Sequence, residues 1–252
     1  MYQGYYNLVS GMLTQNRNLN VISNNMVNVQ TPGYKHDTMV SSTFDEEMLY
    51  RTGRHNKGNK TPLATTSKIK TASRTYVNYE QGSYQQTQGI YDFAIGGKGF
   101  FCIQTQDGER YTRNGSFSVD EEGYLTLNNL GRVLSADNQP IQILDENFFV
   151  DSRGNIVSET GEFGTLKVAD FADYEQLHKE DNGLFSTAQP QIQPEGEEQP
   201  VIVWKALEQS NVNMIQEMTS MMSSQRALQS AAQLLKMYDQ IMSKSATDVG
   251  RL

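Results

Sequence analysis

The sequence predicts an α+β protein, with terminal helices paired as a coiled-coil-like domain and an inserted antiparallel all-β domain. Three observations predict it. Apolar residues recur at intervals of seven near both ends of the chain, which is the period of a helix seam. From about Val77 to Val203, short apolar segments alternate with turn residues, and no helical period intervenes. Between the first helix and that region runs a polar stretch with few apolar residues.

The N-terminal helix, within residues 1–35, carries Tyr5, Met12, Leu19 and Met26 at sevens, with Leu8, Gln15 and Ile22 interleaved. Thr31-Pro32-Gly33 should stop it, since proline cannot continue a helix and glycine suits the exit. Residues 36–76 read as an extended loop, with a short helical turn in HDTMVSSTFDEEMLY and a basic cluster at Arg51, Arg54, Lys57 and Lys60. Residues 77–203 form the β domain. Asp107-Gly108 between FFCIQTQ and ERYTR signals a hairpin, Asn114-Gly115 and the glycine of DEEG mark further reversals, and QPQIQPEGEEQ reads as a return linker. Residues 204–252 hold the C-terminal helix. Met214, Met221, Leu228, Leu235 and Met242 fall at sevens, with Met218, Gln225, Ala232 and Asp239 as the companion series. Asn213 with Gln216 suggests the cap, and Leu234, Tyr238 and Ile241 form a second stripe that calls for a neighbour on another side.

Composition narrows the function. A net charge of −8 over 252 residues leaves no basic footprint for nucleic acid. With 37% hydrophobic residues and a mean hydropathy of −0.59, exposed segments are expected rather than a compact enzyme. No apolar run approaches the roughly 20 residues that span a membrane, so no membrane insertion is expected. MYQGYYNLVSGMLTQNR lacks a basic n-region and an apolar h-region, so no cleaved signal peptide is expected. Cys102 is the lone cysteine and reads as a buried thiol.

Chemistry is hard to find. His36, His55 and His178 stand alone, without a second histidine or cysteine at ligand spacing. Gly96-Gly97-Lys98-Gly99 lacks phosphate-loop spacing and sits between β segments, so it reads as a turn. Asp120, Glu121 and Glu122 fall in a turn, and Glu195, Glu197 and Glu198 in a linker. No catalytic residue, cofactor site or metal site is expected, and the chain is read as not an enzyme.

Two terminal stretches and one central stretch then carry a resemblance. In LNVISNNMVNVQTPGYK, Asn24, Asn25, Asn28, Thr31, Gly33, Tyr34 and Lys35 fit the N-terminal signature of flagellar rod and hook proteins. In LEQSNVNMIQEMTSMMSSQR, Leu207, Glu208, Ser210, Asn211 and Val212 fit the C-terminal signature, with Gln225-Arg226 in its helical part. DFAIGGKGFFCIQTQDGERYTRNGSFSVDEEGYL is similar to the central β domain of the FlgF/FlgG type. The chain thus resembles the flagellar basal-body rod protein family, related to hook proteins.

The resemblance implies a structural axial subunit of the bacterial flagellum. Its terminal helices would polymerise with copies of itself and with other rod or hook subunits, building the rod that transmits torque to the hook. It implies passage through the flagellar export apparatus and a place in the basal body within the cell envelope. A hook or other axial protein is the alternative within the family. A cell-wall-acting enzyme or an adhesin on a helical oligomerisation stalk is the alternative outside it.

Six asparagines fall between Asn16 and Asn28, where each costs roughly 0.5 kcal/mol relative to alanine in a helix interior. Buried amides stabilise when hydrogen-bonded and can select register, so Asn24, Asn25 and Asn28 are expected to be lattice contacts. The expected assembly interface comprises these with Leu19, Ile22, Met26, Thr31 and Gly33 at the N-terminal end. At the C-terminal end it comprises Leu207, Ser210, Asn211 and Val212, then Met214, Met218, Met221, Leu228, Leu235 and Met242. Six of the eleven methionines lie between Met214 and Met242, and flexible thioethers suit non-equivalent contacts in a polymer.

Overall fold

The computed structural model describes residues 2–51, 61–128, 130–145, 147–158, 161–180, 182–192 and 200–249. The chain divides into two compact units, one of residues 1–26, 37–76 and 213–252, the other of residues 27–36 and 77–212.

The first unit holds helix α1 (Tyr2–Val27), strands β1 (Asp37–Arg51) and β2 (Thr61–Val77), and helix α2 (Met214–Val249). α1 ends a turn before Pro32. Asn28 stops it, its backbone oxygen accepting from the Thr31 amide (3.1 Å) and its Oδ1 from the Thr31 hydroxyl (3.1 Å). α2 opens at its expected cap, where Asn213 Oδ1 accepts from the amides of Ile215 (3.1 Å) and Gln216 (3.3 Å).

The helical turn and extended loop expected over residues 36–76 give way to two long strands, β1 and β2, paired as a two-stranded sheet. Threonine and valine supply the β-branched side chains that favour extended backbone in both. The basic cluster from Arg54 to Lys60 lies outside the described residues, as does most of the QPQIQPEGEEQ linker.

The second unit is built of antiparallel strands, with one 3-10 turn at Tyr174–Gln176. Its strands in order are β3 (Tyr84–Gln86), β4 (Phe93–Gly96), β5 (Phe100–Thr105), β6 (Gly108–Thr112), β7 (Ser118–Val119), β8 (Leu125–Leu127), β9 (Gly131–Val133), β10 (Phe148–Val150), β11 (Asn155–Ser158) and β12 (Gly161–Thr165). β13 (Val168–Ala169), β14 (His178–Lys179), β15 (Phe185–Ser186), β16 (Val201–Trp204) and β17 (Ala206–Glu208) follow. The main sheet runs β14-β15-β6-β5-β9-β8-β7, with β13 also on β5. β10, β11 and β12 make a smaller sheet, and β16 pairs with β4 and β17 with β3. Residues 206–208, within the span assigned from sequence to the C-terminal helix, are therefore β, and the helix starts six residues later.

β5 organises this unit because both its faces are buried, as its unbroken apolar run FFCI requires. Phe101 and Ile103 face a core with Phe93, Phe117, Leu125 and Val133. Phe100 and Cys102 face a second with Tyr111, Phe171 and Phe185. Cys102 is a free thiol held in that second core, and burial pushes its pKa up. The β5–β6 hairpin turns on Gln106-Asp107, one residue earlier than expected, because Gly108 takes a φ of +110° and already pairs with Thr105.

Candidate functional site

Within the first unit the terminal helices pack antiparallel in one fixed register. Tyr238 Oη lies 3.8 Å from where a Cβ on Gly4 would stand. Asn18 Nδ2 donates to Ser224 Oγ (3.1 Å). Asn25 Nδ2 donates to Glu217 Oε2 (3.2 Å). The two residue numbers of each pair add to 242, so the register holds from Gly4 to Asn25. Along α2 the covered positions are Glu217, Met221, Ser224, Leu228, Ala231, Leu235, Tyr238 and Met242, in alternating steps of four and three. The apolar series read from sequence is there from Met221 onward. Its companion is Glu217, Ser224, Ala231 and Tyr238, whereas Met218, Gln225, Ala232 and Asp239 face outward.

The asparagines have work inside the chain. Asn25 is 1% exposed; its Nδ2 also donates to the Asp37 carbonyl (2.8 Å), and its Oδ1 accepts from the Asp37 amide (3.0 Å). It thus holds both the start of β1 and the first turn of α2. Asn24 lies on the exposed face of α1, and Asn28 closes the turn after the helix.

Within the second unit the two signature segments meet. Gly33 donates its amide to the Glu208 carbonyl (2.7 Å), and Lys35 Nζ reaches Glu208 Oε1 (2.7 Å) and the Glu80 carbonyl (2.8 Å). Arg113 on the loop after β6 binds the other oxygen, Oε2 (3.2 Å), and the Gly97 carbonyl (2.7 Å). The side chains of Lys35, Glu208 and Arg113 are 1%, 0% and 5% exposed, so one buried carboxylate serves two buried cations. Burial holds the Lys35 ammonium below its ordinary value, against the opposing pull of Glu208, and Arg113 adds to the lowering.

Backbone bonds complete the junction. Asn211 Nδ2 donates to the carbonyls of Asn78 and Glu80 (both 2.9 Å), and its Oδ1 accepts from the His36 amide (2.7 Å). Ser210 Oγ accepts from the Val212 amide (3.3 Å). Lys179 Nζ donates to the Lys35 carbonyl (2.8 Å) while lying 3.8 Å above the Tyr34 ring. Gly33 is required: its φ is +70°, and a Cβ there would stand 2.3 Å from the Arg113 carbonyl carbon.

The expected interface residues thus divide. Asn25 and Ile22 are buried in the helical unit, with Leu19, Met26, Met221, Leu228, Leu235 and Met242 partly covered and Met214 and Met218 exposed. Gly33 and Val212 are buried in the β unit, beside partly covered Thr31, Leu207, Ser210 and Asn211. Sequence reasoning missed Asn18, Ser224, Glu217 and Arg113 as contact-makers, and treated Lys35 and Glu208 as motif letters only. A signal existed for the last two: each is the single charged side chain in its stretch, TPGYK and KALEQSNV aside from Lys205.

The described residues contain no cluster of three or more metal-ligating side chains, and no described helix is long and apolar enough to cross a membrane. A groove beside the helix pair is lined by Gln15, Asn18, Thr219, Ser223, Ser224 and Ala227, none of them titratable. Asp120 and Glu122 are engaged with Arg132 across their turn (3.1 and 2.5 Å).

Three family models match: "Flagella basal body rod protein" over residues 6–35, "Flagellar hook protein FlgE/F/G D1 domain" over 94–157, and "Flagellar basal body rod FlgEFG protein C-terminal" over 205–248. The chain is 31% identical over 277 aligned residues to the flagellar hook-basal body complex protein FlhO of Bacillus subtilis, with 100% of both chains covered. It is 31% identical to the flagellar basal-body rod protein FlgG of Buchnera aphidicola subsp. Schizaphis graminum, covering 93% of this chain and 95% of that one. It is 33% identical to the rod protein FlgF of Caulobacter vibrioides, covering 97% and 95%. The matches at both signatures and the β domain agree with the geometry, and the chain belongs to the flagellar basal-body rod and hook protein family of axial structural subunits.

Proposed function

We propose that this chain is a rod subunit that polymerises through its terminal helices and transmits torque by packing alone. The observation that carries the reading is the helix pair: α1 and α2 cover one narrow seam against each other and leave large apolar side chains outside it. Tyr6 (61% exposed), Leu13 (62%), Met218 (45%) and Ile241 (62%) are among them. The alternating steps of the seam support a coiled-coil-like pairing, with Asn18–Ser224 and Asn25–Glu217 as polar layers that fix register.

The interface residues outside the seam, Met214 and Met218 foremost, then serve neighbours. Asn25, Gly33 and Asn211 serve assembly indirectly, by shaping the subunit. The chain acts without catalysis, since its turn carboxylates are engaged with Arg132 rather than converging on a cleft. Export proceeds through the flagellar apparatus, and the subunit resides in the basal body.

The test is complementation. In cells lacking the chain, the wild-type form restores motility and is found in isolated basal bodies. Met221→Pro, which breaks α2 inside the seam, should be made and exported yet absent from the rod. Incorporation of that variant at wild-type levels would refute polymerisation through the helices.

A further inference from the structure

We propose that successive copies stack head to tail, with the outward face of α1 in one copy seated on the outward flanks of α2 in the next. The inference rests on the rod reading above and names the surfaces that polymerise. Tyr6, Leu13, Asn20 and Val27 fall at sevens along α1, and the apolar members are 61%, 62% and 76% exposed. With Gly4, Asn18 and Asn25 turned to α2, this line lies on the opposite side of α1. α2 has two outward stripes: Ile215, Met218 and Met222 near its start, and Leu234, Met237 and Ile241 near its end. They flank its covered seam on opposite sides. The pair therefore bears apolar side chains on two different outer faces, one from each helix.

Charge selects a second copy as the occupant. The chain carries −8, which repels copies in general. Yet α1 has Arg17 as its one charged residue, and α2 balances Glu217, Asp239 and Asp248 against Arg226, Lys236 and Lys244. The helices are the near-neutral part of an acidic protein, and interface cores are poor in charge. Their exposed polar residues also match in kind: asparagine on α1, glutamine and serine on α2. A basic or acidic partner would find no complement there.

Two unlike faces cannot close a two-fold dimer, so the contact propagates. α1 has 26 residues. A strip of that length, about 39 Å by about 10 Å, buries about 800 Å² in total, below the roughly 1,200 Å² of a stable specific pair. One such contact does not hold two copies together in dilute solution, whereas a lattice giving each copy several does.

Cysteine crosslinking tests this, because the native Cys102 is fully buried and does not compete. Tyr6→Cys is combined in one chain with a cysteine at Ile215, Met222, Leu234 or Met237, and isolated basal bodies are treated with a short bismaleimide. Expected is a ladder of dimers, trimers and higher species from at least one combination, whose position reports the axial offset. Each single-cysteine chain should give no dimer. Dimers from Tyr6→Cys alone would mean α1 meets α1 and would overturn the proposal. So would rods that contain the chain but yield no ladder from any combination. Leu13→Cys replaces Tyr6→Cys if the latter is not incorporated. Failure of the wild-type chain to enter the rod would instead refute the rod reading itself.

Discussion

Replacing Glu208 by glutamine should unlock the junction between the signature segments. The carboxylate bonds Lys35, Arg113 and the Gly82 amide (3.0 Å), and it is the counter-charge of two buried cations. Glutamine keeps the volume and one acceptor but removes the charge. Breaking a buried pair from one side costs about 3–5 kcal/mol, because the partner stays charged and dry. Here two partners are stranded, so the loss belongs at the upper end. Lys35→Met removes one of the two cations and leaves a balanced Glu208–Arg113 pair, so about 1–3 kcal/mol is expected. The double variant should lose less than the two singles together, by about 1–3 kcal/mol. Trp204, the sole tryptophan, lies in β16 of the same unit, so its fluorescence during urea unfolding reads each value. A Glu208→Gln loss under about 1 kcal/mol, or strict additivity, would refute the role of the cluster.

Other consequences follow from single positions. Gly33→Ala should destabilise the β unit by at least about 2 kcal/mol, since the new Cβ meets Arg113 backbone at a positive φ; the same fluorescence assay reads it. Asn25→Ala removes three hydrogen bonds, one to the Glu217 carboxylate and two to the Asp37 backbone, so the helical signal in circular dichroism should melt earlier, by about 2–3 kcal/mol of stability, while exposed Asn16→Ala stays within about 0.5 kcal/mol. The lowered Lys35 value has a sign. Between that value and the ordinary 10.5, the unfolded chain binds more protons than the folded one, so this group makes stability rise with pH in that window. Lys35→Met should flatten that rise in alkaline urea titrations, and an unchanged slope would contradict it.

The sequence was most legible where burial is apolar and continuous. FFCIQT was legible as an apolar β segment running into a hairpin, with Cys102 buried in it, and the sevens from Met221 to Met242 declared a seam. It misled where polar side chains take the buried positions. Weighing hydrophobicity put Met218 in the companion series, yet the chain buries Glu217 and Ser224 there because Asn25 and Asn18 bond them. β1 and β2 looked like loop because their threonines, serines and charges give no core signal, although threonine favours extended backbone. The Lys35–Glu208 pair spans 173 positions, and no local pattern encodes a contact at that range. The asparagines were legible as hydrogen-bonding residues but not as to partner: Asn18 and Asn25 bond within the chain.

The central claim is that the terminal helices are completed by neighbouring subunits. Backbone amide hydrogen exchange, run on dilute protein and on assembled rods, tests it most directly. The strands β4, β5, β6, β8 and β9 are predicted to be protected in both states, while 2–27 and 214–249 exchange far faster in dilute protein and become protected on assembly. Helices equally protected before and after assembly would contradict it, because they would already be complete within one chain.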